Sequence, residues 1–157
     1  MQTRDARPED ATAACDVLRR SIAELCVSDH RNDPAIVTRW LANKTPESVG
    51  SWIAQPGNSV LLAVEGDSVL AVGAVTDSGE ISLNYVSPEA RFRGVSRTLL
   101  QALEARASQR GATICTLTST ETALRFYRSA GYREAGTPTG CFGTTGYPMA
   151  KALLPRP

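Results

Sequence analysis

The chain has 157 residues, 42% hydrophobic, 21% charged and 6% aromatic, and its 17 basic and 16 acidic residues leave a formal net charge of +1. That length suits one domain with a sizeable core, and the near-neutral balance gives no bulk attraction to nucleic acid or to an anionic membrane. No apolar run approaches the ~20 residues of a membrane span, and aliphatic residues spread along most of the chain exclude general disorder.

The polar start, Met1 to Pro8, lacks the apolar core of a signal peptide. Cys15, Cys26, Cys115 and Cys141 lie far apart without a C-x-x-C, beside a single histidine. Neither a zinc site nor a disulfide framework reads out of that spacing. The expectation is a cytoplasmic protein with reduced thiols and no metal.

In chain order, Thr3–Arg7 reads as an edge strand closed by Pro8. A helix is expected from about Pro8 to Leu25, because Ala11, Ala14, Cys15, Leu18, Ile22 and Leu25 recur at spacings of three and four. Ser28 to Pro34 reads as a polar loop, in which a lone His30 is expected to be solvated. Asp33-Pro34 and Thr45-Pro46 are start signals for two short helices, with Trp40 and Trp52 as packing residues. The period then changes. Val60–Val64 and Val69–Val75 are continuous apolar runs joined by Glu65 to Ser68, a hairpin covered on both faces. After a turn at Asp77 to Gly79, Ile81–Val86 should place Ile81, Leu83 and Tyr85 on one face. Helical spacing returns in Val95, Leu99, Leu103 and Ala107 and ends before Gly111. A strand (Ala112–Thr118), a helix stopping at Gly131, and strands at Gly131–Ala135 and Gly146–Leu153, separated by a Gly/Thr/Pro-rich loop, complete a mixed α/β sheet flanked by helices.

The most informative stretch is Tyr85 to Leu100, YVSPEARFRGVSRTLL. A strand enters a polar, glycine-containing loop that opens directly onto an amphipathic helix. The first turn of such a helix has unpaired amides and the positive end of the macrodipole. Gly94 permits close backbone approach, and Arg91, Arg93 and Arg97 add positive charge. From these residues alone two readings stand: an anion-binding turn, or an ordinary strand-to-helix connection with solvated arginines. Walker A and G-x-G-x-x-G patterns are absent from it.

Arg91-Phe-Arg-Gly94-Val-Ser96 resembles the [Q/R]-x-x-G-x-[G/A] signature of the GNAT superfamily of N-acetyltransferases. Ala123 to Tyr132, ALRFYRSAGY, is similar to a second family segment, A-x-x-F-Y-x-x-x-G-[F/Y]. The polar run Arg4 to Asp10 resembles the family's usual first strand and helix start. Ser96 stands where Gly or Ala is common, Phe92 where Gly is frequent, and Thr120 where many members carry Asn.

The resemblance implies a mostly antiparallel sheet with a splayed parallel pair, here Ile81–Val86 and Ala112–Thr118. It implies acetyl-CoA as acyl donor, held by Tyr85, Val86, Arg91, Phe92, Arg93, Gly94, Val95, Ser96, Thr120 and Tyr127. The Val86 amide would polarise the thioester carbonyl. Tyr127 would protonate the departing thiolate, against its other reading as an aromatic anchor beside Phe126. Glu80 and His30 are the candidates for base, compared with Asp29, Glu89 and Asn84; Asn84 has no basic group. Cys26 and Cys115 are expected to be small buried residues. The acceptor would be an amine of a small molecule or peptide, lined by Cys26–Ile53 and Thr137–Tyr147, and a homodimer is consistent with the family. The alternatives are a CoA-binding sensor without turnover, and a nucleotide-binding α/β module.

Overall fold

The computed structural model describes residues 1–141 and 143–154 of the chain; the segment Thr137–Tyr147, expected to line the acceptor, is therefore described except at position 142. Local signals set the helix starts. Asp33 accepts the Ala35 amide at 2.9 Å, with Pro34 in the first helical position of α3 (Pro34–Leu41). Thr45 accepts the Ser48 amide at 3.1 Å ahead of α4 (Pro46–Ala54). The first long helix, α1 (Ala11–Leu25), is preceded by a 3-10 turn at Pro8–Asp10. Asp10 closes that turn by accepting the Arg7 amide at 2.7 Å. The expected polar loop after α1 begins instead as a helical turn, α2 (Val27–His30).

Strands β1 (Gln2–Asp5), β2 (Asn58–Glu65), β3 (Ser68–Thr76) and β4 (Ile81–Val86) form an antiparallel sheet in that order. A second sheet runs β5 (Ile114–Ser119), β8 (Thr144–Ala152), β6 (Arg133–Glu134), with β7 (Thr139–Cys141) pairing β8. The Gly/Thr/Pro-rich connection before β8, expected to be a loop, thus contributes a strand of its own. Helix α5 (Val95–Gln109) carries the chain from β4 to β5. Among the described residues the sheets meet at one parallel bridge, Glu80 with Thr116, where the Thr116 amide donates to Gly79 O at 2.9 Å. Beyond it β4 and β5 diverge, so the mixed α/β architecture with a splayed parallel pair is the one observed.

The continuous apolar runs of β2 and β3 are explained by burial on both faces. Leu61, Ala63, Ala71 and Val75 pack with Leu99 and Leu103 of α5. Val60, Leu62, Val64 and Val72 pack with Ala14 and Leu18 of α1. One facial assignment is corrected. Leu83 pairs Ala74 but Ile81 pairs Val75, so Ser82 is an extra residue in β4. That bulge turns Ile81 to the α5 face, while Leu83 and Tyr85 stay on the α1 face. Among the described residues no helix is long and apolar enough to cross a membrane.

Candidate active site

Where β4 and β5 separate, a cavity of about 420 Å³ opens between the end of β4, the start of α5 and the segment leading into α6 (Leu124–Ser129). It continues through a gap of about 60 Å³ walled by Asn84, Thr118 and Tyr127. Beyond lies a further cavity of about 250 Å³ bounded by Trp40, Lys44, Glu80 and Thr144. Tyr85 and Thr120 line all three spaces, which therefore form one cleft along the splay.

The end of β4 has an open edge. Ser87 donates its amide to Leu70 O of β3 at 2.7 Å. Successive strand amides alternate sides, so the Val86 amide faces away from β3 into the cleft. The chain then turns through Arg91 to Gly94 into α5. Gly94 has φ 74° and ψ 7°, a left-handed conformation, and a Cβ added there would meet nothing within 4 Å. Backbone conformation, not crowding, accounts for glycine at this point. Phe92 is also left-handed at φ 63° and is 92% exposed, with the Arg91 guanidinium 4.4 Å from its ring centroid. The first-turn amides of α5 have no intrahelical acceptor and carry the positive end of its dipole. Ser96 lies on the cavity wall, whereas the Val95 side chain is buried in the core and offers the site its amide.

Not every expected contact faces the cavity. The Arg93 guanidinium pairs with Glu65 at 3.1 Å on the β2–β3 hairpin, and Arg93 is not among the residues of the wall. Arg97 does line the cavity, donating to Ser129 Oγ at 2.9 Å with its guanidinium 5.7 Å from the Phe126 ring. Thr120 also lines it, but its hydroxyl already accepts the Ala123 amide at 3.2 Å and caps the turn into α6.

Tyr127 stands between the two larger cavities. Its ring meets Phe126 and Tyr132 edge-on, with centroids 5.2 and 5.6 Å away, so it is an aromatic anchor as well as a wall of the cleft. Burial pushes its phenol up to about 12, with the hydrogen bond from Asn84 acting the other way. Asn84 Nδ2 donates to Tyr127 Oη at 3.3 Å. Asn84 Oδ1 is buried and has no hydrogen-bond partner. The sequence signal for Asn84 is a polar residue on a strand face otherwise packed against a Leu-rich helix.

The base candidates separate cleanly. His30 is 0% exposed, not solvated in a loop. Its Nδ1 accepts the Asn32 amide at 3.0 Å, which leaves the ring proton on Nε2 to donate to Ile22 O at 2.8 Å. With both nitrogens engaged and its ring against Trp40, His30 braces α1, α2 and α3 and lines none of these cavities. Asp29 accepts the amides of Glu121 at 2.7 Å and Thr122 at 3.2 Å, together with the Thr122 hydroxyl. It clamps α2 to the segment that carries Tyr127. Arg20 and then Ser87 hold the Glu89 carboxyl down at about 2, each at 2.6 Å. Glu80 lines the cavity farther from the α5 turn. Burial raises the Cys26 thiol on the wall of the 420 Å³ cavity to about 12 and the Cys115 thiol to about 11. Both are buried, as expected, and neither is a thiolate at neutral pH.

Residues 26–153 match the family model described as an acetyltransferase (GNAT) domain. Among solved structures, a GCN5-related N-acetyltransferase from Rhodopseudomonas palustris is 25% identical with a TM-score of 0.86, covering 97% of this chain and 95% of that one. The PaiA N-acetyltransferase from Thermoplasma acidophilum, solved with coenzyme A, is 18% identical with a TM-score of 0.84 over 96% of this chain and 98% of its own. A ribosomal-protein-alanine N-acetyltransferase from Brucella melitensis is 22% identical with a TM-score of 0.74 over 98% of this chain and 100% of its own. No curated protein matches the sequence.

Proposed function

The chain belongs to the GNAT acetyltransferase family, and from that premise we propose that it transfers the acetyl group of acetyl-CoA to a primary amine by direct attack in a ternary complex. One observation carries the proposal: an anion-ready turn, an outward strand amide and a buried phenol all face a single cavity of about 420 Å³. The first-turn amides of α5 suit a pyrophosphate, with Arg91 and Arg97 close by. The open edge of β4 suits a pantetheine arm added as a strand.

The Val86 amide is the donor for the carbonyl oxygen, where negative charge develops as the amine adds. The amine nitrogen forms the new C–N bond with its lone pair, and the C–S pair departs on sulfur. Tyr127 gives that sulfur its proton. The nitrogen loses a proton to water in the cleft. Water then restores the phenol. A phenol lifted to about 12 is fully protonated at neutral pH, the state an acid needs. Cys26, protonated on the same wall, supports attack without an acyl-enzyme.

Tyr127→Phe tests this reading. It keeps the aromatic packing and removes the acid. Thiol release from acetyl-CoA in the presence of amines should fall about 100-fold in kcat, while calorimetry should give an unchanged Kd for CoA. Equal turnover by wild type and variant would remove Tyr127 from the chemistry. Tight CoA binding with no amine-dependent thiol release would favour the sensor.

A further inference from the structure

Asn84 lies where the cleft is smallest, on a wall shared by the donor cavity and the gap beyond it. It pairs with Gly73 of β3, where an added Cβ would lie 2.8 Å from Leu103 Cδ1. This face of the sheet is pressed onto α5, a setting that ordinarily selects apolar side chains. A carboxamide stands there instead, donating through Nδ2 to Tyr127 while Oδ1 is buried without a partner. Native interiors rarely leave such an acceptor unpaired. Its retention beside the reacting centre points to a donor brought by the substrate.

Resting on the transferase reading above, we propose that Asn84 receives the attacking nitrogen: Oδ1 accepts one N–H of the acceptor amine while Nδ2 holds the Tyr127 oxygen. A single side chain then sets both the nucleophile and the group that protonates the leaving sulfur. The positions agree. Asn84 and Val86 share a face of β4, one strand repeat apart, or roughly 7 Å, which leaves room for an amine against a carbonyl held by the Val86 amide. Because Nδ2 occupies a lone pair of the phenol oxygen, the phenol's own proton is left for sulfur.

The neutrality of the group matters. An alkylamine has a pKa near that of lysine, about 10.4, and must shed a proton before it attacks. A carboxylate at this position would hold it as the ammonium; a carboxamide oxygen aligns the N–H without that attraction. The nitrogen spends its lone pair on carbon and keeps an N–H for Asn84. A hydroxyl acceptor would have its single hydrogen held by a group that has no basic site to remove it. The site therefore selects primary amines, which have one N–H to lose and one to keep, over secondary amines and alcohols.

The test uses Asn84→Leu, which removes both polar atoms at similar volume, and Asn84→Asp, which keeps the shape and adds charge. CoA affinity is read by calorimetry, and thiol release is followed with acetyl-CoA and either n-butylamine or lysine amide as acceptor. Asn84→Leu should keep the CoA Kd within about threefold and lose about 10- to 100-fold in kcat/KM for the amine. Asn84→Asp should move the acid limb of the kcat–pH profile up by about one unit, recovering rate at high pH. That displaced limb supports the proposal even where the leucine variant fails to fold. Unchanged amine kcat/KM in Asn84→Leu would overturn the inference alone, as would loss of CoA binding, which would assign the oxygen to the donor. A wild-type protein that binds CoA yet releases no thiol with either amine would overturn the transferase reading and this inference with it.

Discussion

Tyr127 and His30 both carry a polar group into the interior, and they use it differently. His30 satisfies both ring nitrogens within its own neighbourhood, with Ile22 O and the Asn32 amide, so its side chain holds helices together. Tyr127 keeps its hydroxyl proton uncommitted and its oxygen held by Asn84. The motif around Tyr127 was legible because Phe126, Tyr127 and Gly131 recur at fixed spacing in the family. The burial of His30 was not, since Ile22 O on α1 and the Trp40 ring on α3 close around it only when the helices stack, and a polar stretch such as Ser28 to Pro34 carries no trace of that stacking. The phenol also makes stability depend on pH. Its folded value of about 12 lies above the ordinary 10 because burial disfavours the anion. The resulting stabilisation is complete below pH 10 and is lost as pH rises from 10 towards 12, because the unfolded chain ionises first. Urea midpoints across pH 8 to 12 should therefore fall more steeply for wild type than for Tyr127→Phe. Parallel slopes would mean that the phenol is solvated.

At the scale of elements, the short helix α2 is tied to the segment that leads into α6. Its Asp29 carboxylate takes two amides and a hydroxyl from Glu121 and Thr122, just before α6 presents Tyr127. The caps at Asp33 and Thr45 were readable because each acts on its own helix within three residues. Asp29 was not, because it caps a turn far along the chain; β7 pairs β8 only a few residues away and was read as loop because its threonine and glycine residues show no alternation of apolar side chains. Asp29→Ala should cost about 1–2 kcal/mol, the scale of a lost capping side chain. For a chain of this length that lowers Tm by several degrees. It should also lower kcat more than it raises the CoA Kd, because α6 loses its anchor while the α5 turn is untouched. Asp29→Asn, which keeps one acceptor oxygen, should fall between. A Tm unchanged in Asp29→Ala would show that the clamp contributes nothing.

The whole molecule is two sheets that must touch at one end and part at the other, and the cleft is what the parting leaves. Contact is made where the Thr116 amide reaches Gly79 O and Glu80 bridges Thr116. The turn at Asp77 to Gly79 was readable as a turn. Its second duty, letting β5 lie against it, is visible only when the crossover through α5 has returned the chain. Gly79 adopts φ 96°, and a Cβ there would lie 2.2 Å from Ile114 O. Left-handed strain and a clash with backbone, which has no rotamer to yield, act together at this residue. Gly79→Ala should therefore destabilise by about 3–5 kcal/mol, the sum of the two effects. The damage should also reach the site: once the joined end is forced open, the angle between β4 and β5 is no longer fixed and the amides of Val86 and of the α5 turn lose their common target. Gly66, in the β2–β3 hairpin, is the control, because it has a positive φ of 59° and open space around it, so Gly66→Ala carries strain without the clash. If thermal unfolding shows the two variants equally stable, and both bind CoA as wild type does, the junction at Gly79 does not set the splay.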